Sequence, residues 1–200
     1  AIAGAIATKY LSNQNANSVG IIGAGIQAKL QLQAIMLVRK INKIIVWSRD
    51  KIKANQFIKS FKDLDLDLHV ASSCKELASL SEIIVTTTPS KKPLLEFDWI
   101  KKGTHITAMG SDAEQKNELD PYMLKYCDQY VPDNQLQTSV LGELHHALKQ
   151  NIISSKEKFN ELGDIISDPS LGRKNNEDIT ICDLTGTGVQ DTAIARFAYN

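Results

Sequence analysis

A glycine-rich turn between an apolar run and a helical pattern constrains the fold of this chain most strongly. Residues 18–22 are typical of a buried strand, and Gly23-Ala-Gly25 follows them directly. Gly23 allows a sharp turn, Gly25 lets the backbone approach a pyrophosphate, and Ala28 lets helix and strand pack closely. The amino end of the helix offers free N–H groups and a positive dipole to phosphates. This stretch therefore predicts a dinucleotide-binding strand, turn and helix.

The pattern after the turn predicts which face of that helix is buried. Apolar residues recur at helical spacing, which indicates one apolar face. The residues of this expected face are Leu30, Ala34, Leu37, Val38 and Ile41.

Bulk properties exclude several classes of protein. The chain has 200 residues with 23 basic and 23 acidic side chains, so a formal net charge of zero does not suggest a nucleic-acid partner. No apolar run approaches the roughly 20 residues that a membrane span needs, and no signal peptide opens the chain. The three cysteines are far apart without C-x-x-C spacing, which argues against a disulfide framework and a zinc site. We expect a soluble, cytoplasmic protein that binds no metal.

Further strand and helix patterns alternate along the chain. At least six strand candidates are separated by helical segments, which predicts an α/β fold: a doubly wound, Rossmann-type, mostly parallel sheet with helices on both faces. In residues 64–70 leucine and valine alternate with aspartate and histidine, so this strand is expected to have one wet face. The strand candidates are residues 18–22, 43–47, 64–70, 82–88, 105–109 and 179–183, with a short one at 129–131. The helix candidates after the first are residues 52–61, 74–80, 140–148, 159–166 and 189–199, with one starting at Asp120-Pro121.

The residues after the second strand bear on cofactor choice. A ribose-binding acid normally lies about 20 residues beyond the glycines. Here that place is occupied by Ser48, followed by Arg49. A small hydroxyl followed by a guanidinium can accept a 2′-phosphate, which favours NADP(H). Asp50 is close enough to this place that NAD(H) remains an alternative cofactor. Arg49 could also lie at the end of the strand without binding a cofactor.

Polar residues also follow the later strands, at the edge where open α/β sheets bind ligands. Thr87 and Thr88 precede Pro89, and Asp112 follows the strand at 105–109. We therefore expect Asp112 to point into the ligand crevice. The turn at 184–188 is a second glycine-rich loop, which could line the nicotinamide end or act as a flexible joint.

The adjacent histidines His145 and His146 do not form a metal-binding pair. Neighbouring residues on a helix diverge by about 100° and do not share a face. We interpret both histidines as surface or packing residues.

Five motifs together resemble the ornithine cyclodeaminase/μ-crystallin family. The resemblance covers almost the whole chain, and the Asp…Lys…Glu-Leu pattern and the final Gly-Val-Gln-Asp are its most specific parts. The motifs are residues 23–28, 83–90, 109–119, 142–144 and 183–191. The sequence around Asp112, His145 and His146 resembles most the cyclodeaminase-like proteins of ectoine utilisation.

The resemblance implies an NAD(P)-dependent enzyme that acts on a small amino acid or its imine, with Asp112 as the acid/base carboxylate. The μ-crystallin branch lacks an acid there, but a non-catalytic NADPH-binding protein of that type remains the alternative. Glu114-Gln115 replaces the Pro-Gly of the common family pattern, which puts ornithine in doubt as the substrate. Together, the turns and the resemblance predict cofactor contacts by Gly23, Ala24, Gly25, Ile26, Gln27, Ser48, Arg49, Thr87, Thr88, Pro89, Met109, Gly110, Ser111, Thr187, Gly188 and Val189.

The resemblance also implies a substrate-binding and dimerisation half that would precede this chain. The chain has no initiator Met and begins inside a helical pattern. We expect residues 1–200 to be the NAD(P)-binding domain of a longer, homodimeric protein, and to bind cofactor while turning over little substrate alone.

Overall fold

Seven parallel strands form the central sheet of the computed structural model, which describes residues 1–199. Across the sheet the strands lie in the order 67–70, 43–47, 18–22, 83–86, 105–108, 180–183 and 129–132. Every neighbouring pair is parallel, with Gly20 of the first strand beside Ile45 and Ile84. A parallel pair needs a crossover connection, so the chain must leave and re-enter the sheet each time. The Rossmann-type α/β fold predicted from the sequence is confirmed.

The strands are β1 (Ser18–Ile22), β2 (Lys43–Trp47), β3 (Asp67–Val70), β4 (Ile83–Thr86), β5 (Lys91–Leu95), β6 (His105–Ala108), β7 (Asn117–Leu119), β8 (Gln129–Pro132) and β9 (Thr180–Asp183). The α-helices are α1 (Ile2–Leu11), α2 (Ile26–Met36), α3 (Lys51–Lys59), α4 (Cys74–Leu80), α5 (Pro121–Tyr126), α6 (Gln135–Thr138), α7 (Gly142–Lys149), α8 (Leu162–Ser167) and α9 (Gly188–Tyr199). Short 3-10 helices lie at Phe97–Trp99 and Pro169–Leu171. Strands β5 and β7 form a separate two-stranded parallel sheet, which the sequence patterns did not indicate.

Both faces of the main sheet are covered, because successive side chains of a strand point to opposite faces. On one face Ile22, Ile84 and Ile106 pack with residues of α4, α5 and α7. On the other face Ile21 and Val85 pack with residues of α2 and α3. The strands β1, β4, β6 and β9 are buried along their whole length. This two-sided burial explains the largely apolar sequences of β1 and β4. Strands β6 and β9 also bury polar residues, among them His105, Thr107 and Thr180.

The predicted apolar face of α2 was wrong. The helix ends at Met36, so Leu37 lies beyond it and is 87% exposed, while Leu30 is 43% exposed. Its buried face consists of Ala28, Gln31, Leu32 and Ile35. Gln31 is fully buried because Gly4 of α1 packs against its side chain, an arrangement that polarity alone cannot indicate.

The predicted strand at 64–70 was too long. Residues 61–65 form turns, Leu64 is 44% exposed, and only Asp67–Val70 pairs with β2. The alternation of leucine and aspartate in residues 64–66 has the period of a strand, but these residues pair with no neighbouring strand. The helix expected near 159–166 begins instead at Leu162.

The three cysteines form no disulfide among the described residues. Cys74, Cys127 and Cys182 are free thiols. Within residues 1–199, no helix has the length and hydropathy required to cross a bilayer.

We expect Gly20→Ala to lower the free energy of unfolding by about 1–3 kcal/mol, as overpacking of a filled core does. A Cβ at Gly20 would lie 2.3 Å from Ser81 Oγ and 2.5 Å from Leu77 Cδ2. Gly163→Ala on α8 is the matched control, because nothing lies within 4 Å of its Cβ position. Denaturant unfolding measures both, and equal stabilities would contradict the packing of α4 against β1.

Candidate functional site at the carboxyl edge of the sheet

The residues that follow the central strands continue the sheet by one further hydrogen bond each. This pairing brings the loops after β1, β4, β6 and β9 side by side at one edge. The bonds run from Gly23 N to Trp47 O (2.8 Å), Thr87 N to Ile22 O (2.9 Å), Met109 N to Thr86 O (3.1 Å) and Leu184 N to Ala108 O (2.9 Å). Ligands of open α/β sheets bind at this edge.

The glycine turn has the shape that a pyrophosphate requires. Gly23 has φ +117°, and a Cβ there would lie 2.5 Å from Thr87 Oγ1. Only glycine tolerates this backbone beside a neighbouring loop. Gly25 differs, since nothing lies within 4 Å of its Cβ position and it faces open space. Ile26 and Gln27 follow it on the surface.

Helix α2 begins without a side-chain cap, unlike the next three helices. Asp50 caps α3, Ser73 caps α4 and Asp120 caps α5, each through a hydrogen bond from a backbone N–H. Among the described residues no side chain caps α2 at Gly25. Its first N–H groups and its positive dipole end are therefore available to an anion.

The end of β2 places Ser48 and Arg49 beside this turn. Ser48 is half-buried and Arg49 is exposed. Asp50, the acid that could take the place of a ribose-binding residue, accepts hydrogen bonds from Ile52 N (2.9 Å) and Lys53 N (3.2 Å). One oxygen of its carboxylate, Oδ1, thus caps α3.

A fully buried carboxylate, Glu118, joins the loop after β4 to the loop after β6. Its Oε1 accepts from Thr88 N and Thr88 Oγ1, both at 2.6 Å. Its Oε2 accepts from Thr86 Oγ1 (2.7 Å) and Gly110 N (2.8 Å). Burial raises the pKa of Glu118, while these four bonds oppose that rise. A Cβ on Gly110 would lie 2.2 Å from Thr88 O, so the two loops are in direct contact.

Two more buried acids extend from Glu118 toward β9. Glu143 accepts from Glu118 N (2.9 Å), Leu119 N (3.1 Å) and Asn117 Nδ2 (2.6 Å). Burial, with Asp183 and Glu118 nearby, raises the pKa of Glu143 well above its usual range. Asp183 Oδ2 accepts in turn from Glu143 N (2.8 Å) and Leu144 N (3.3 Å), which caps α7.

Asp183 is the third buried acid of this group and lies at the end of β9. Its Oδ2 also accepts from Tyr130 OH (2.8 Å), whereas its buried Oδ1 has no hydrogen-bond partner among the described residues. Burial raises the pKa of Asp183 from 3.8 to about 7. A proton on the unpartnered oxygen removes the cost of burying a charge.

Asp112 lies on the loop between β6 and β7. Its side chain is 57% exposed, and its Oδ1 accepts a hydrogen bond from Lys116 Nζ four residues later. The Lys116 side chain is only 25% exposed. The loop therefore presents an accessible carboxylate that a more buried cation holds in place.

The second glycine-rich turn is held by Asp133. The carboxylate accepts from Thr185 N (2.8 Å), Gly186 N (3.0 Å) and Thr185 Oγ1 (3.0 Å). Burial raises the pKa of Asp133. Thr187 lines an open cleft with residues of α1 and α8, and Gly188 begins α9. The side chain of Val189 lies outside the part of the chain that the structure describes.

The structure brings most of the predicted site residues to one edge. Gly23 meets Thr87, and Thr88 meets Gly110, with Met109 and Ser111 adjoining them. Pro89 is exposed beyond this contact. Sequence reasoning missed Lys116, Glu118, Glu143, Asp133 and Asp183 as residues that shape the site. The motif contained Lys116 and Glu118, but nothing local indicated that Glu118 binds groups on the loops after β4 and β6.

Strand order, glycine turn and uncapped helix define a Rossmann-type domain. The chain belongs to the ornithine cyclodeaminase/mu-crystallin family, whose sequence model matches residues 1–200.

Relatives and solved structures agree with this assignment. The chain is 48% identical over 200 residues to an uncharacterized cyclodeaminase, y4tK, of Sinorhizobium fredii, covering 100% of this chain and 60% of that protein. It superposes on an archaeal alanine dehydrogenase dimer with bound NAD at a TM-score of 0.93 and 35% identity, covering 98% of this chain and 61% of the other. It superposes on the Δ1-pyrroline-2-carboxylate reductase of Thermococcus litoralis, in complex with NADH and L-proline, at a TM-score of 0.92 and 30% identity, covering 98% and 62%. The chain thus spans about 60% of the length of the relatives it matches.

We expect Asp183→Asn to remove part of the pH dependence of stability. Between pH 3.8 and about 7 the unfolded chain releases this proton while the folded protein retains it. The stabilisation from Asp183 is therefore full below this window and falls as the pH rises through it, by about 4 kcal/mol in total. Asparagine mimics the protonated acid and keeps the three bonds to Oδ2.

Unfolding free energies at pH 5 and pH 8 test this expectation, with exposed Asp63→Asn as the control. The Asp183→Asn protein should lose less stability than the wild type between the two pH values, and Asp63→Asn should behave as the wild type. A slope equal to that of the wild type in Asp183→Asn would show that the carboxyl is ionised throughout.

Proposed function

We propose that this chain is the cofactor-binding part of an NAD(P)-dependent oxidoreductase or cyclodeaminase that acts on a small amino acid or its imine. The observation that carries the proposal is the placement of Asp112. It stands two residues after Gly110, whose N–H is tied through Glu118 to the loop after β4. An exposed carboxylate is thereby held next to the edge where a dinucleotide would end.

The residues at the edge fit a dinucleotide. Gly25 faces open space, α2 lacks a side-chain cap among the described residues, and the contact of Gly23 with Thr87 shapes the turn. Residues 23–27 would hold the pyrophosphate, and Thr87, Thr88, Pro89, Met109, Gly110, Ser111, Thr187, Gly188 and Val189 would surround the nicotinamide half. When bound, the cofactor supplies the acceptor or donor of a hydride.

Asp112 is the group of this chain that would move the proton. Interconverting an amine and an imine requires a proton to leave or join the nitrogen as the hydride moves. A carboxylate within hydrogen-bond reach of that nitrogen acts as general base in one direction and general acid in the other. The exposure of Asp112 lets substrate reach it, and Lys116 fixes its orientation.

The family supports the choice of substrate class. The matched solved relatives are an alanine dehydrogenase and an imine reductase, and the matched relative in Sinorhizobium fredii carries the name cyclodeaminase. We propose a small amino acid or cyclic imine, processed by dehydrogenation, imine reduction or cyclodeamination. Within the family, the sequence Leu144-His145-His146 favours the branch of cyclodeaminase-like proteins of ectoine utilisation.

The proposal assigns the remaining parts of the active site to residues outside this chain. Groups that bind the substrate carboxylate would come from a preceding half, and the protein would be a homodimer, as the archaeal alanine dehydrogenase is. Residues 1–200 alone should then bind reduced cofactor and turn over little substrate.

We further propose that NADP(H) is preferred and NAD(H) accepted. Asp50 uses its Oδ1 to cap α3, which ties its side chain to that helix, while Arg49 is exposed beside Ser48. A guanidinium can grip a 2′-phosphate bidentately. The NAD and NADH in the relatives' structures make NAD(H) the alternative outcome.

We expect Asp112→Asn in the gene product that carries this chain to lower kcat by roughly 100-fold or more, the contribution of a general acid/base. Ammonia release and cofactor oxidation would be measured with ornithine, diaminobutyrate, alanine and imines. Glu114→Gln, which removes an exposed carboxylate from the same loop, is the control and should stay within about twofold of the wild type. Unchanged turnover by Asp112→Asn would remove this residue from the mechanism, and no turnover of any imine by the wild type would favour a non-catalytic NADPH-binding protein.

We expect Arg49→Ala to weaken NADPH binding by roughly 10-fold or more and to leave NADH binding within about twofold, since only NADPH offers the phosphate. Arg49→Lys should be intermediate because it keeps the charge and loses the fork. Fluorescence titration of the reduced cofactors measures both affinities, with exposed Lys51→Ala as a control for net charge. Equal affinity of the wild type for the two cofactors would refute the preference.

A further inference from the structure

We propose that His146 is a positioning residue for Asp112, acting through the main-chain carbonyl of Lys116. The inference rests on the proposed function, because it concerns the same acid/base carboxylate. The imidazole Nε2 of His146 lies 2.7 Å from Lys116 O. A carbonyl only accepts, so Nε2 carries the hydrogen and donates it.

One carbonyl closes the loop that carries Asp112. Lys116 O accepts the Nε2–H bond from His146 and a second bond from Ser111 Oγ at 2.5 Å. Lys116 N donates to Ala113 O at 2.9 Å. The backbone of Lys116 is therefore fixed at both its N–H and its C=O. Its side chain then reaches back to Asp112, so fixing the backbone of Lys116 limits where its ammonium can hold the carboxylate.

The helix that carries His146 is a rigid support for this bond. Residues three apart on a helix share a face, so Glu143 and His146 both face the segment 116–119. Glu143 binds that segment at Asn117, Glu118 and Leu119, and Asp183 caps the helix. His146 continues the same set of contacts by one residue, to Lys116. The bond therefore connects the end of the loop that carries Asp112 to helix α7, which Glu143 and Asp183 hold in place.

The surroundings of His146 keep the imidazole in a form suited to this task. Burial lowers the pKa of His146, helped by His145 and Lys149 and opposed by the bond to Lys116. A neutral ring with its hydrogen on Nε2 makes the bond. The neighbouring His145 packs edge-on against it with ring centroids 5.2 Å apart, and makes its own bond to Ser139 O through Nδ1. His145 does not contact the Lys116 carbonyl, but its Nε2 lies 3.9 Å from Glu114 Oε1 on the same loop.

Amide hydrogen exchange of residues 111–117 in the gene product that carries this chain tests the positioning directly and needs no substrate. His146→Phe keeps a ring but no donor, and His146→Leu is a second variant without a donor. His146→Gln restores an N–H donor, and Lys149→Ala, which removes an exposed side chain from the same helix, is the control. We expect exchange in this segment to rise roughly 3- to 10-fold in His146→Phe and His146→Leu, the worth of one neutral hydrogen bond, and to stay near the wild type in the other two.

Turnover then separates positioning from a general loss of structure. We expect His146→Phe to lower kcat by roughly 10-fold and displace the pH profile of kcat, with the cofactor KM unchanged, and His146→Gln to restore both. Unaltered exchange in both donor-free variants, or a glutamine variant that behaves like phenylalanine, would overturn the inference. A wild-type protein with no turnover would refute the proposed function, while the exchange result would still decide whether His146 fixes the loop.

Discussion

The hydrogen bonds of one buried carboxylate determine the shape of the candidate site. Glu118 accepts from two groups of Thr88, from Thr86 and from Gly110, and so joins the loops after β4 and β6. Parallel strands fix only where these loops begin, and the carboxylate fixes how closely they approach beyond the sheet. Gly110 permits that approach, since any side chain there would meet Thr88 and Glu118. The position of Asp112 two residues later is a consequence of this junction.

The same device is repeated toward β9 with Glu143 and Asp183. Glu143 accepts a backbone hydrogen bond from Glu118, and Asp183 accepts one from Glu143. The side chains of Glu143 and Asp183 therefore join β7, α7 and β9 beneath the ligand edge. Burial of three acids in one region disfavours their charged forms, and the raised pKa values of all three express that cost. A carboxylate that receives several N–H groups orients its loops more strictly than an apolar contact of equal area, because hydrogen bonds are directional.

Sequence patterns predicted the fold and the edge of the site, but not the buried acids that hold its loops together. The strands and the glycine turn are local patterns, so Gly23, Gly25 and a mostly parallel sheet of at least six strands followed from spacing and apolar runs. The position of Asp112 after a strand placed it at the ligand edge, and the resemblance to the family implied its acid/base role. Glu118, Glu143 and Asp183 escaped prediction because each binds groups contributed by other segments, and a buried acid looks like any other acid in a sequence. The face of α2 was misjudged for a related reason, since Gln31 is buried by a helix that precedes it in the chain.

A crystal structure of the gene product with reduced cofactor and a product amino acid would show directly whether Asp112 serves the reacting nitrogen. We expect the pyrophosphate at the uncapped amino end of α2, the nicotinamide against the loops that Glu118 joins, and a carboxylate oxygen of Asp112 within about 3 Å of the amino nitrogen. A cofactor bound away from Gly25, or an amino acid whose nitrogen is met by another acid while Asp112 remains in solvent, would contradict this expectation.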